Sequence, residues 1–331
     1  MVLKKIIIDT DPGIDDALAI MYAMKHPEIE ILGITTVAGN KGLKTTTNNA
    51  TKLSKYFGSK VKVYRGAHAK LDEIDKPEID SNLTKDIHGV DGLGGVNLEK
   101  DDSLIQEKSA YEFILETINK YPNEVDIVTL GPLTNLAVCI EKDLETMKKV
   151  KSIHSMGGGV FSGNVSPVAE FNYWFDAKSV DIVYGKLGEY VPIYMVGLDV
   201  TRQGLIDFND LKYMELVGGE LGKLVNDLVK DYINSYWKNN RVFGIVIHDL
   251  VAMVGYANNE IYKKVYNANL RCVYDSDVAY GQCIVDLVDS WKLPKNAYIP
   301  MEMDSKLYKY EINKVLFGES EAKEYRKIIG G

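Results

Sequence analysis

Cysteine is scarce in this chain: Cys139, Cys272 and Cys283 are the only three in 331 residues. They are odd in number, widely spaced and set in apolar surroundings, which argues against a disulfide framework. The absence of any Cys-x-x-Cys pair argues against a thiolate zinc site. The expectation is three reduced core thiols in a cytoplasmic protein, with Cys283 the least settled because it follows Gly281-Gln282. No basic tract occurs, and 39 Lys and Arg against 47 Asp and Glu leave a formal charge of −8. Nucleic acid and anionic membranes are therefore not expected partners. A continuous apolar run of about 18 residues, enough to span a bilayer, is missing. So is the layout of charge, apolar stretch and small-residue cleavage site that marks a signal peptide. Repeats, low-complexity segments and Pro/Gly/Ser-rich linkers are also missing, so one domain over residues 1–331 is expected. What the chain has is 46% hydrophobic residues, enough for a sizeable core.

Strand-like and helix-like segments alternate over the first two thirds. Strands are expected at 5–9, 29–37, 61–64, 125–130, 150–156 and 191–196. Helices are expected at 14–25, 42–57, 108–120, 132–141 and 176–186. This alternation predicts an α/β fold with a mostly parallel central sheet and helices on both faces. Residues 203–257 read as mainly helical, followed by a last strand at 269–274 and a closing helix at 319–328. The polar, Gly-containing stretch 65–105, with His88 among glycines, is long for a connection and reads as a mobile lid or binding loop.

The densest chemistry lies at the start. Lys4 to Ile8 form an apolar strand that runs into Asp9, Asp11, Asp15 and Asp16, four carboxylates within eight residues. Pro12-Gly13 breaks the strand, and Ile14 onward is helical. The acids therefore sit at the C-terminal end of a parallel strand, the edge where open α/β sheets bind ligands. Turn and helix-start preferences account for one or two acids there. Four point to a hard divalent cation with oxygen ligands.

Other strand exits are polar in the same way. They are Val37-Ala38-Gly39-Asn40, Leu130-Gly131-Pro132-Leu133-Thr134-Asn135 and Met156-Gly157-Gly158-Gly159, the last followed by Gly163-Asn164 and Glu170-Phe171-Asn172. His248-Asp249 follows an apolar run. Each signal alone is weak. Together they predict a pocket rich in oxygen acceptors and amides and poor in positive charge, suited to a metal ion and a neutral polyhydroxylated ligand such as a sugar. Tyr232 and Tyr236, spaced i, i+4, share a helix face and could stack on an aromatic group or simply be buried.

These motifs, in this order, resemble the inosine–uridine-preferring nucleoside hydrolases, from Asp9-Thr10-Asp11-Pro12-Gly13-Ile14-Asp15-Asp16 to about residue 290. Ile87-His88-Gly89 and Asp199-Val200-Thr201 belong to the same pattern. Ala177 after Asp176 and Cys283 are the departures, standing where Pro and Thr are common. The resemblance implies an open Rossmann-like fold with a helical C-terminal portion over the site, and hydrolysis of ribonucleosides to ribose and free base. It implies Ca2+ held by Asp11, Asp16, Asp249 and the carbonyl of Leu130. Asp15, Asn164, Glu170 and Asn172 would hold the ribose, with Asn40 near the sugar and the attacking water. Met156 and Phe171 join the substrate-binding set with His88, Tyr232 and Tyr236. A homodimer or homotetramer acting in nucleoside salvage is also implied.

In this reading Asp11 is the base for a Ca-bound water, because Ca2+ activates water less than Zn2+ does. The acids favour the oxocarbenium-like transition state, and single-step attack predicts inversion. His248 is the first candidate for proton donor to the departing base, because its ordinary pKa is near neutrality, and His88 on the long loop is the second. The alternative is that His248 only orients Asp249, since neighbours on an extended segment point opposite ways. A phosphohydrolase built on Asp9-Thr10-Asp11 lacks the expected Lys and Ser/Thr phosphate grips. A non-catalytic ribose or nucleoside binder would not need the acid cluster. A hydrolase of another ribosylated small molecule fits the same residues.

Overall fold

The structure is a computed structural model that describes residues 3–78, 89 and 91–330. Its centre is a ten-stranded sheet ordered β11-β10-β12-β7-β6-β5-β1-β2-β3-β4. From the N-terminus the first seven strands are β1 (Lys4–Thr10), β2 (Ile29–Thr36), β3 (Val63–Arg65), β4 (Ile105–Gln106), β5 (Val125–Thr129), β6 (Ser152–Met156) and β7 (Ile193–Val196). All seven run parallel, as does β12 (Ala297–Met303) beside β7. β10 (Tyr262–Cys272) and β11 (Cys283–Asp286) form an antiparallel hairpin, and β10 is antiparallel to β12. A separate two-stranded sheet pairs β8 (Leu205–Asp207) with β9 (Gly244–Val246).

β1 shows why the sheet is covered on both faces. Ile6 and Ile8 enter one apolar cluster, with the helices Ile14–Lys25, Gly219–Asn240 and His248–Ala257. Ile7 enters the other, with Ala110–Lys120, Thr134–Lys142 and Ala177–Leu187. The two-residue period of a strand sends alternate side chains to opposite layers. β1 also lies between β5 and β2, where the strand order reverses. A crevice opens at such a switch point, outside the carboxyl ends of the strands.

The C-terminal third departs from the sequence expectation. Residues 203–257 hold β8 and β9 as well as helices Phe208–Val217, Gly219–Asn240 and His248–Ala257. The strand expected at 269–274 is the end of the eleven-residue β10, and β11, β12 and helix Ser305–Leu316 were not anticipated. β10 carries three consecutive exposed residues, Lys263, Lys264 and Val265, which blurs an apolar pattern. β12 contains Pro300, paired with Val265 at a register irregularity of β10 that accommodates a residue without an N–H. The closing helix falls at Glu319–Ile328 as expected. All three cysteines are buried free thiols. Among the described residues no helix is long and apolar enough to cross a membrane.

His154 on β6 is buried between Tyr194, stacked at 4.5 Å, and the edge of Tyr256 at 5.0 Å, and its Nδ1 has no hydrogen-bond partner. Burial pushes its pKa down to about 4, outweighing the nearby Asp126 carboxylate, while Lys4 and Lys151 push the same way as burial. The folded state thus keeps this ring neutral, whereas the unfolded chain protonates it below about 6.5. Stability should therefore fall as pH drops from 6.5 to 4, by roughly 3 kcal/mol from this group. Thermal melts of His154→Gln across that range should show a shallower acid loss than wild type. An identical slope would show that His154 does not contribute.

Candidate active site

The site is built at the C-terminal edge of β1, β2, β5 and β6. β1 delivers Thr10 and Asp11, the Pro12-Gly13 turn follows, and Asp15 and Asp16 occupy the first turn of helix Ile14–Lys25. Asp16 accepts hydrogen bonds from Thr10 Oγ1 (2.5 Å), Gly13 N (3.0 Å) and Asn40 Nδ2 (3.1 Å). Asp11 Oδ2 accepts from Asn40 N at 2.6 Å, so the loop after β2 clamps two of the acids. Asp9 faces elsewhere: its Oδ1 takes Thr35 Oγ1 and Asn135 Nδ2, joining β1 to β2 and to the helix after β5. Gly39 and Gly131 press on Asp11, and a Cβ on either would lie 2.1 Å and 2.5 Å from its carboxylate oxygens. Only glycine leaves room for the carboxylate at those two strand exits.

The acids repel one another. Burial first, then the Asp16 and Asp15 charges, hold Asp11 well above the usual carboxylate range. Burial and then Asp16 raise Asp15 to about 8, and burial raises Asp16 itself. Asp249 is raised by burial and by the charges of Asp15, Asp16 and Asp11. Asp15, Asp16 and Asp249 each offer an oxygen within 4.8 Å of the others. Asp11 Oδ1 is buried with no hydrogen-bond partner. Hard oxygen donors so close together, with a buried orphan oxygen beside them, fit a divalent cation.

A cavity of about 790 Å³ opens over this cluster. Asp15, Asn40, Leu130, Met156 and Asp249 line its floor, while Asp11 and Asp16 lie buried and do not line it. Asn164, Glu170, Phe171 and Asn172 line the cavity too. Glu170 accepts three backbone N–H groups, from Gly158, Asn172 and Tyr173, yet burial still raises its pKa to about 7. Asn172 Nδ2 donates to the carbonyls of Leu130 (2.8 Å) and Met156 (3.2 Å), tying the ends of β5 and β6 together. Asn164 Oδ1 accepts from Phe171 N at 3.0 Å.

The remaining wall carries Tyr232, Tyr236 and His248. The two tyrosine rings meet edge-on at 5.1 Å. His248 Nδ1 lies 2.7 Å from Thr201 Oγ1, and Nε2 lies 3.1 Å from Tyr236 OH. Two sequence arguments about His248 need correction. It opens helix His248–Ala257 instead of lying on an extended segment, so it and Asp249 both reach the cavity. Nor does it titrate near neutrality, because burial, aided by the Arg202 charge, lowers its pKa to about 3. His88 lies outside the described residues. Asp91 beyond it is pinned, with its carbonyl held by Asn49 Nδ2 at 2.8 Å; that amide also binds the Pro12 carbonyl at 3.1 Å.

Sequence reasoning missed Trp174 and Arg202, both of which line the cavity. Arg202 donates to Ser162 Oγ and to the Gly163 carbonyl (2.7 Å), bracing the loop that carries Asn164. Among the described residues Arg202 is the one cationic side chain lining the cavity, beside Asp15, Glu170 and Asp249, so the pocket holds little positive charge, as expected. Arg202 directly follows Asp199-Val200-Thr201, and Trp174 follows Asn172 by two residues, so proximity to a motif was the available signal.

A family model described as inosine-uridine preferring nucleoside hydrolase matches residues 6–309. The chain belongs to this family. Uridine nucleosidase 1 of Arabidopsis thaliana is 38% identical over 285 residues, covering 86% of this chain and 82% of the relative. The pyrimidine-specific ribonucleoside hydrolase RihB of Escherichia coli O157:H7 is 32% identical over 303 residues, covering 91% and 93%. Among solved structures, a plant nucleoside hydrolase superposes with a TM-score of 0.88 at 29% identity, covering 95% of this chain and 99% of that one. The purine-preferring ribonucleoside hydrolase of Gardnerella vaginalis gives 0.86 at 28%, covering 97% and 100%. This nucleoside hydrolase is therefore a nucleoside N-ribohydrolase of a metal-dependent family, and it carries an acidic cluster.

Proposed function

We propose that the enzyme hydrolyses pyrimidine ribonucleosides, uridine first, with Ca2+ bound among Asp11, Asp15, Asp16, Asp249 and the Leu130 carbonyl. The observation that carries the reading is the set of four buried carboxylates, all raised by burial and three of them also by neighbouring acid charges, beneath a cavity of about 790 Å³. Uridine comes first because the relatives with the higher identities are named for uridine and pyrimidine substrates. When bound, Ca2+ supplies charge that holds ribose hydroxyls and a water and lowers that water's pKa.

The chain's own groups do the rest. Asp11 takes the proton of the attacking water, with its Oδ2 fixed by Asn40 and Oδ1 left without a protein partner. Asp15, Asn40, Asn164 and Glu170 hold the sugar from the cavity wall. Positive charge that develops on the ribose ring is stabilised by the surrounding carboxylates. Attack in one step inverts the anomeric carbon. The leaving base sits against Tyr232 and Tyr236. The neutral His248 ring and the Tyr236 hydroxyl form one hydrogen-bonded unit with Thr201, which donates to the base as it departs.

The test is ribose release, with Ca2+ and without phosphate, from uridine, cytidine, inosine, adenosine and guanosine, compared with an activated nitrophenyl riboside. Uridine should release ribose fastest, and no release from any nucleoside would favour another ribosylated substrate or a binder. His248→Ala should slow the nucleosides by roughly 10²-fold or more and the nitrophenyl riboside far less. Equal losses on both would remove His248 from leaving-group assistance.

A further inference from the structure

Two of the three cysteines face each other across the β10–β11 hairpin, where the register pairs Cys272 with Cys283. The hydrogen bonds at the hairpin's end fix what kind of pair this is. Val273 N donates to the Gln282 carbonyl (3.0 Å) and Gly281 N to the Val273 carbonyl (2.7 Å), with Gly281 at φ 80°. That is a glycine bulge closing on the hydrogen-bonded position Val273–Gln282. The next position in an antiparallel ladder is of the non-hydrogen-bonded kind, whose Cα atoms lie about 4.5 Å apart with side chains close. That separation falls within the range a disulfide spans. Both side chains enter the same apolar cluster.

The same hairpin is pressed against the substrate-holding segment. Gln282 bridges to Ala169, the residue before Glu170. A Cβ on Gly281 would lie 2.8 Å from the Trp174 Cα, so the turn lies directly on the short helix that carries Asn172 and Trp174. The Cys283 sulfur packs on Gly158 beside the Tyr173 ring and the Met195 sulfur, and Gly158 N is one of the donors that hold Glu170.

We infer that Cys272 and Cys283 are a reversible redox pair, and that closing their disulfide draws the Cys283 sulfur off Gly158 and loosens the hold on Glu170. Both sulfurs are buried, and the co-reactant the step takes is a small two-electron oxidant, hydrogen peroxide. One sulfur attacks a peroxide oxygen and the O–O bond breaks, giving a sulfenic acid and one water. The second sulfur displaces the sulfenic hydroxyl, which leaves as another water, and the S–S bond forms. Net, two thiols lose two hydrogens and one peroxide becomes two waters. A dithiol reductant reverses the step by exchange.

The experiment treats the Ca2+-loaded enzyme with hydrogen peroxide, then alkylates it under denaturing conditions and weighs it. Only Cys139 should accept the alkylating group, against all three cysteines in untreated protein, and the peptide spanning Cys272 and Cys283 should be lighter by two hydrogens. In parallel, kcat/KM on a ribonucleoside should fall by about tenfold, below the roughly hundredfold that a 1 Å misplacement can cost, and dithiothreitol should restore it. Cys272→Ser, which leaves the Cys283 sulfur on Gly158, should keep the basal rate and lose the peroxide response. Three alkylated cysteines after peroxide would overturn the pair. A disulfide formed with unchanged kcat/KM would overturn its coupling to the site. The thiol count reads independently of any substrate, so failure of the redox pair and failure of the hydrolase reading are distinguishable.

Discussion

Replacing Asp11 by Asn is expected to lower turnover on ribonucleosides by roughly 10²–10⁴, the range a positioned general base contributes, and to leave the fold intact. The substitution is nearly isosteric. The amide oxygen can take the place of Oδ2 and still accept the Asn40 N–H. The amide NH2 then falls at Oδ1, the buried oxygen with no hydrogen-bond partner. Gly39 and Gly131 keep the space around it open. Because Asp11 is one of several acids that raise one another, removing its charge should leave the metal-free variant melting at or above the wild-type temperature. A variant that folds, melts no lower, keeps the rise in melting temperature with Ca2+ and has lost turnover assigns the loss to the base. Near-normal turnover would remove Asp11 as the base.

Stripping divalent ions with a chelator should abolish activity, and readdition of Ca2+ should restore it. The physical reason is the same cluster. Buried carboxylates with oxygens within 4.8 Å of one another carry a large desolvation and repulsion cost when ionised without a counter-charge. A cation removes that cost in the folded state and finds no assembled site in the unfolded chain. Added Ca2+ should therefore raise the melting temperature, with about 2.7 kcal/mol of stabilisation at a hundred times the Kd. Full activity in rigorously metal-free protein would falsify the metal mechanism. A melting temperature indifferent to Ca2+, with activity still chelator-sensitive, would place the ion elsewhere.

The acid cluster was legible because its signal is local and dense: a buried strand, a Pro-Gly turn and a helix start within sixteen residues fix where those side chains go. The parallel strands up to β7, apart from the two-residue β4, and the helices expected between them were legible for the same reason, since apolar runs alternate with clear turns. Legibility fades where tertiary packing decides. β8 and β9 have three residues each and pair only because the chain returns to bring them together. β10 has three consecutive wet residues and β12 a proline, so neither reads as a strand of a large sheet. Trp174 and Arg202 reach the cavity from the short helices Phe171–Phe175 and Leu198–Thr201, the second ending at Arg202, which are too brief for a periodicity to mark. Tyr232 and Tyr236 were visible through their spacing, but the Thr201–His248–Tyr236 chain was not, since its members come from three separate segments.

The strand order has a consequence for assembly during synthesis. β12 is the last strand made, yet it lies between β7 and β10. The β10–β11 hairpin therefore has no neighbour in the sheet until Ala297–Met303 has left the ribosome and slid in beside β7. Until then the hairpin's paired thiols and its bridge to Ala169 have no anchored sheet behind them. β1 similarly waits for Val125–Thr129 before its second edge is covered. Non-local pairing of this kind slows folding and leaves unpaired edges exposed in the interim. The nascent enzyme thus carries its acid-bearing strand long before it can close around a cation, and acquires the brace on its sugar-holding wall last.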